Sequence, residues 1–216
     1  MRIPNFATER KRFAAGCDCL AGLDEVGRGA WAGPLVAAAV VLTADKLIGC
    51  RRLRRLVRDS KTLSQRQREH AYTRIAALLG WGVGVVAPGE IDRHGLTMAN
   101  QLAMERAIAA LPSAPAFLFV DGRGFHFTIP NRQIIDGDAR VFCIAAASII
   151  AKVTRDRLMR TFDRQYPAYG FANHKGYGTP RHQTALTTHG PCPIHRQAFA
   201  PIAERLATMV PSLASP

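Results

Sequence analysis

Two apolar runs open the chain, residues 20–26 and residues 35–42, and both read as strands. The second is rich in β-branched residues and reads as buried. Between them, residues 27–34 bring together Gly27, Gly29, Gly33 and Pro34, the composition of a hairpin connection. Ser64 followed three residues later by Gln67 is a helix-start signal, and the helix it opens runs to about residue 79. Residues 81–86 predict a strand and residues 97–110 a helix that Leu111-Pro112 ends. Residues 116–120, bounded by Pro115 and Asp121-Gly122, predict a buried strand. A weaker strand is expected at residues 132–135, and residues 145–164 form the longest predicted helix. Beyond Pro180, two short helices flank the break Gly190-Pro191-Cys192-Pro193. Hairpins mixed with crossovers predict an α/β fold, a mixed β-sheet flanked by helices.

Composition narrows the class. With 216 residues, 48% hydrophobic and 21% charged, the chain can bury a substantial core as one domain, which excludes bulk disorder. Its five cysteines are odd in number, and Cys17-x-Cys19 lacks the spacing of a zinc site, so reduced thiols are expected. No apolar signal core or membrane-length run is present, and the expectation is a cytoplasmic protein without membrane partners. Lys and Arg number 29 against 16 Asp and Glu, a net charge of +13. That excess favours a polyanion as partner, nucleic acid first and an anionic membrane surface second.

Against this basic background, Asp24 and Glu25 run directly into Gly27-Arg28-Gly29. Asp121 closes the apolar run 116–120, and Asp138 follows seventeen residues later, just before the long helix. Taken singly, Asp121-Gly122 and Asp136-Gly137 are ordinary turn pairs. Taken together, Asp24, Glu25, Asp121 and Asp138 can meet at one sheet edge, where four carboxylates need cations to neutralise them. Hard divalent ions such as Mg2+ or Mn2+ suit oxygen ligands, and a pair of them serves phosphoryl transfer. One geometric difficulty attends Glu25. Neighbouring strand residues face opposite ways, so both side chains reach one site only if the strand kinks or ends there; otherwise Glu25 contributes its backbone carbonyl.

The remaining polar groups carry two readings each. Asp59-Ser60-Lys61 offers a hydroxyl and an ammonium to a phosphate, or is a turn followed by a solvated lysine. Arg51, Arg52, Arg54, Arg55 and Arg58 either track a phosphate backbone or form a solvated face. Ser148, Lys152, Arg155 and Asp156 share one helix face, as amphipathicity alone also requires. In His174-Lys175-Gly176-Tyr177-Gly178-Thr179, glycines on both sides of a tyrosine suit a platform for a sugar or base. His195-Arg196 reads by default as a surface pair.

In their order along the chain, these segments resemble the bacterial ribonuclease HII family, the type 2 ribonucleases H. The matching motifs are Gly22-Leu23-Asp24-Glu25-Val26-Gly27-Arg28-Gly29, Asp59-Ser60-Lys61, Asp121-Gly122, the stretch from Ala145 to Asp156, His174-Lys175-Gly176-Tyr177-Gly178-Thr179 and His195-Arg196. The resemblance implies a ribonuclease H-like catalytic core over residues 20–178 with a small C-terminal helical extension over residues 179–216, within a single domain. It implies endonucleolytic cleavage of RNA in RNA–DNA hybrids and incision 5′ to single ribonucleotides in duplex DNA. Asp24, Glu25, Asp121 and Asp138 would be the catalytic and metal-binding set. Asp24 would bridge two Mg2+ or Mn2+ ions, one activating a water and the other stabilising the leaving oxygen. Backbone groups of Gly27, Arg28 and Gly29 would read the 2′-hydroxyl, and Tyr177 would stack on the following sugar. Ser60, Lys61, Ser148, Lys152 and Lys175 complete the expected substrate contacts. Ala198 stands where the family pattern has serine, so a hydroxyl contact is not expected there. A type 3 ribonuclease H, which carries an extra N-terminal domain, fits the 23 residues before Asp24 poorly. A catalytically silent nucleic-acid-binding module is at odds with the intact carboxylate set. The site needs one chain, so a monomer is expected.

Overall fold

A sheet of five strands in the order β3-β2-β1-β4-β5 organises the chain. The computed structural model describes residues 3–57 and 63–209. The strands are β1 (Cys19–Val26), β2 (Leu35–Thr43), β3 (Trp81–Val86), β4 (Phe117–Asp121) and β5 (Asn131–Ile134). β1 and β2 form the expected antiparallel hairpin, while β4 runs parallel to both β1 and β5. All of β2 but its last residue is buried, because both of its faces are covered. That explains why its sequence reads as an unbroken apolar run.

Eight helices accompany the strands among the described residues: α1 (Ala7–Ala14), α2 (Lys46–Leu53), α3 (Gln65–Leu78), α4 (Pro88–Ala109), α5 (Phe142–Gln165), α6 (Phe171–His174), α7 (Pro180–His189) and α8 (Ala200–Met209). The signal at Ser64 is a complete capping box. Gln67 donates its amide N–H to Ser64 Oγ at 3.3 Å, and the Ser64 N–H donates to Gln67 Oε1 at 2.8 Å. Sequence periodicity missed four features, the short α6 among them. It gave no sign of α1 or α2, and it found only the second half of α4, which Gly95 kinks with φ 75°. Of the basic run, Arg51 and Arg52 belong to α2 and Arg54 and Arg55 to the turn after it, with Arg51, Arg52 and Arg55 exposed; Arg58 lies outside the described residues.

The chain divides into two compact units. The first comprises Met1–Val26, Val36–Val85 and Asn100–Thr154; the second comprises Gly27–Leu35, Val86–Ala99 and Arg155–Pro216. In the first unit, every described residue of α5 from Phe142 to Ala151 is buried. Small side chains let this segment approach β1 closely. A Cβ at Gly22 would lie 2.2 Å from the carbonyl carbon of Cys143 and 2.4 Å from the amide nitrogen of Ile144. Glu9 of α1 holds the start of the same helix, accepting the Cys143 amide N–H at 3.1 Å. Burial raises its pKa, with the helix amides opposing that shift.

The second unit is built on Ala32, Met159, Tyr169, Phe171, Ala185, Leu186, Ile194 and Ile202, with three histidines inside it. His182 donates from Nδ1 to the Tyr177 carbonyl (3.0 Å), leaving Nε2 to accept from His195 Nε2–H (3.0 Å). His195 Nδ1 in turn accepts the Cys192 amide N–H at 2.9 Å. His174 stacks on His182 with ring centroids 4.5 Å apart, donates to the Tyr169 carbonyl and accepts the Gly176 amide N–H. Each ring therefore has one donor and one acceptor, the pattern of neutral imidazole. Burial, the largest cause, pushes His182 and His195 down to about 4.

Two predictions follow from this packing. Gly22→Ala meets backbone rather than a flexible side chain, so it costs about 1–3 kcal/mol and lowers Tm by roughly 3–10 °C in a thermal melt. An unchanged Tm would mean that α5 can move away from β1. For the histidines, the folded pKa lies below the ordinary value of 6.5, so the unfolded chain takes up protons first. Their stabilising effect is complete above 6.5 and lost as pH falls from there through about 4. An NMR titration of the ring protons should find His182 and His195 still neutral at about pH 5.5.

Candidate metal and nucleic-acid site

Strand register brings the acidic residues together in the first unit. Leu23 pairs with Val120 in the parallel β1–β4 ladder, so Asp24 and Asp121 occupy the next positions on adjacent strands. Asp121 is the last residue of β4. The turn after β5 passes through Asp136 at φ 53° into a short 3-10 helix, Gly137–Ala139, which carries Asp138. The Gly137 N–H donates to Asp121 Oδ1 at 2.6 Å and ties that turn to the end of β4.

Asp24 is the buried member, at 6% exposure. Burial lifts its pKa well above the usual carboxylate range, and the charges of Asp121, Glu25 and Asp138 add to the rise. A hydrogen bond from the Ser148 hydroxyl opposes it. Ser148, expected to touch substrate, thus lies 6% exposed against Asp24, where α5 crosses β1. The Glu25 N–H donates to Asp24 Oδ1 at 2.7 Å. Pairing of β1 with β2 continues without a break to Val26–Val36, so no kink within the strand turns both side chains one way. The departure comes one residue later, at Gly27 with φ 89°. Regular alternation therefore favours the backbone carbonyl as Glu25's route to a shared ion.

These groups suit hard divalent cations: oxygen donors, one of them desolvated, whose mutual repulsion a positive ion would relieve. Among the described residues, no three such groups already converge on one point. The four carboxylates are electrostatic neighbours rather than a preassembled cage. Lys152, on α5, is half-buried, while Ser60 and Lys61 lie outside the described residues.

The glycine turn and the tyrosine motif belong to the second unit. Arg196 and Arg155 are both fully buried there, which overturns the surface reading of His195-Arg196. Arg196 donates to the carbonyls of Gly27 (2.6 Å), Arg28 (2.9 Å) and Gly33 (3.0 Å). Arg155 donates to those of Pro34 (2.9 Å), Ala32 (3.1 Å) and Lys175 (2.9 Å). Burial lowers both pKa values, that of Arg196 to about 9. Asp92 of α4 supports the Arg196 turn by accepting the amide N–H groups of Gln197 and Ala198 at 3.0 and 2.9 Å. Sequence reading missed these roles because an arginine that donates to carbonyls needs no carboxylate at a recognisable spacing.

Tyr177 is 36% exposed, its ring centroid 5.5 Å from the Arg155 guanidinium carbon. Its flanking glycines serve packing. A Cβ at Gly178 would lie 2.2 Å from the Trp31 ring, and one at Gly176 would lie 2.3 Å from the Ala32 carbonyl oxygen. Lys175 turns its ammonium back to the Ala172 carbonyl. Gly29 differs from its neighbours. Its φ lies outside the positive range and a Cβ there would meet open space, so nothing within the fold requires a glycine.

The ribonuclease HII sequence pattern matches residues 21–202. Ribonuclease HII of Chloroflexus aggregans is 49% identical over 205 residues, 94% of this chain and 96% of that protein. Ribonuclease HII of Geobacillus kaustophilus is 45% identical over 199 residues, 92% of this chain and 74% of that protein. Among solved structures, ribonuclease H2 from Pyrococcus horikoshii OT3 superposes with a TM-score of 0.74 at 29% identity, covering 88% of this chain and 98% of that one. Bst-RNase HIII, solved in complex with Mn2+, shares the fold with a TM-score of 0.66 at 19% identity, covering 89% and 70%. No helix among the described residues is long and apolar enough to cross a membrane. The chain belongs to the ribonuclease HII family, metal-dependent endonucleases that degrade RNA in RNA–DNA hybrids.

Proposed function

We propose that this chain, acting as a monomer, cleaves the RNA strand of RNA–DNA hybrids and incises 5′ to single ribonucleotides embedded in duplex DNA. It does so with two divalent ions, Mg2+ or Mn2+, held by Asp24, Glu25, Asp121 and Asp138. The observation that carries this reading is Asp24 itself. Its pKa is raised by burial and further by three neighbouring carboxylates, on the central strand of the sheet, in a chain of net charge +13. When bound, the ions supply a deprotonated water for in-line attack on phosphorus and stabilise charge on the leaving 3′-oxygen. The products carry 5′-phosphate and 3′-hydroxyl ends.

The chain's own residues prepare that chemistry. Ser148 orients Asp24, and the Gly137 amide fixes Asp121. Both supports are in place before substrate arrives, the condition for efficient phosphoryl transfer. Gly27-Arg28-Gly29 follows β1 directly in sequence and presents backbone groups to the 2′-hydroxyl. The open space at Gly29 supports that assignment, since close approach of a sugar is a reason for glycine that the fold does not supply. The exposed face of Tyr177 takes the next sugar by stacking. Lys152 is left as the α5 contact to phosphate, and Ser60 and Lys61 retain their expected phosphate role.

A labelled DNA duplex with one ribonucleotide tests the proposal. Magnesium should give a single cut 5′ to the ribonucleotide, EDTA should abolish it, and Asp121→Asn should slow it on the order of a hundredfold or more. An uncut duplex with magnesium, or equal cutting by Asp121→Asn, would sink the proposal. Removing the ring with Tyr177→Ala should weaken kcat/KM at a single ribonucleotide by roughly tenfold, the scale of one stacking contact. Steady-state kinetics on that duplex and on a continuous hybrid measure the difference. An equal loss on both would remove the junction-reading role.

A further inference from the structure

Two buried arginines hold the carbonyls of the loop proposed to read the sugar. Those at Gly27, Arg28, Ala32, Gly33 and Pro34 all accept from Arg196 or Arg155. In a trans peptide the N–H points away from the C=O of the same plane, and no peptide bond in the structure is cis. Carbonyls of Gly27 and Arg28 directed at Arg196 therefore direct the amide N–H groups of Arg28 and Gly29 the opposite way. A Cβ added at Gly29 would itself meet open space. Gly27 is glycine because the clamp sits on it: a Cβ there would lie 2.1 Å from Arg155 Nε.

We infer that Arg196 is a positioning residue for sugar discrimination. It fixes the two peptide planes whose amides meet the 2′-hydroxyl, and so sets the preference for ribose over deoxyribose without touching the substrate. Arg155 holds the far end of the same loop and, through the Lys175 carbonyl, the segment that leads to Tyr177. The inference rests on the ribonuclease reading given above. Only a planar guanidinium offers three donors in fixed relative directions; a lysine offers a rotating point charge. The amides are pre-aimed, so little ordering remains to oppose binding when the sugar arrives.

The test compares the affinities of two duplexes that differ in a single ribonucleotide, with calcium replacing magnesium to keep them uncut. Wild type should favour the ribonucleotide duplex. Arg196→Lys should narrow that ratio roughly five- to tenfold, the worth of about one hydrogen bond, while keeping its melting transition and its affinity for all-DNA duplex. Arg196→Ala should lose the ratio and regain it when ethylguanidinium is added. An unchanged ratio in both variants overturns the inference. So does a parallel loss of both affinities with the melting transition and no rescue, since Arg196 would then serve folding alone. A wild type without ribose preference rejects the ribonuclease reading itself, a different result from either.

Discussion

A carboxyl group buried among three others is the constraint around which the first unit is arranged. Asp24 is costly where it stands: desolvation opposes its charge, and so do Asp121, Glu25 and Asp138. Divalent cations of the kind proposed above would relieve that cost. Hydrogen bonds from the Ser148 hydroxyl and the Glu25 N–H favour its ionised form against that cost. The close contact of α5 with Gly22 has the same logic, since it is what brings Ser148 to Asp24.

The second unit solves the opposite problem. In the function proposed above its loop presents backbone to a sugar, and a backbone free to rotate would read nothing. Two guanidinium groups, each surrounded by carbonyls, remove that freedom from one side. Neutral histidines complete the support, since His182 binds the carbonyl of Tyr177 and His195 at once. Rigidity comes here from buried polar groups that are fully paired, which is the condition under which such networks stabilise rather than cost.

Elements whose information is local were legible in the sequence. β2 announces itself as an apolar run, α3 by its capping box, and the two C-terminal helices by the glycine–proline break between them. α1 was not legible, because its one buried residue is Glu9, whose partner Cys143 lies far along the chain. The first half of α4 was hidden by Gly95, which interrupts the helical period. At the site, residue types and order pointed to Asp24, Asp121 and Tyr177. The buried roles of Ser148, Arg155 and Arg196 depend on what each faces across the fold, and a helical stripe or a terminal His-Arg pair does not encode that.

Those buried arginines also change the meaning of the net charge. The sequence counts every arginine equally toward +13, yet Arg155 and Arg196 are enclosed and turned to carbonyls. Their charge reaches a bound duplex weakly, as a fixed field behind the loop. Arg51, Arg52 and Arg55, on and after α2, are exposed and contribute their charge to the surface field that a polyanion would meet. Salt screens exposed charges strongly and enclosed ones much less. On the proposed function, encounter with nucleic acid should therefore weaken with ionic strength while sugar discrimination should not, so attraction and discrimination would be carried by different arginines.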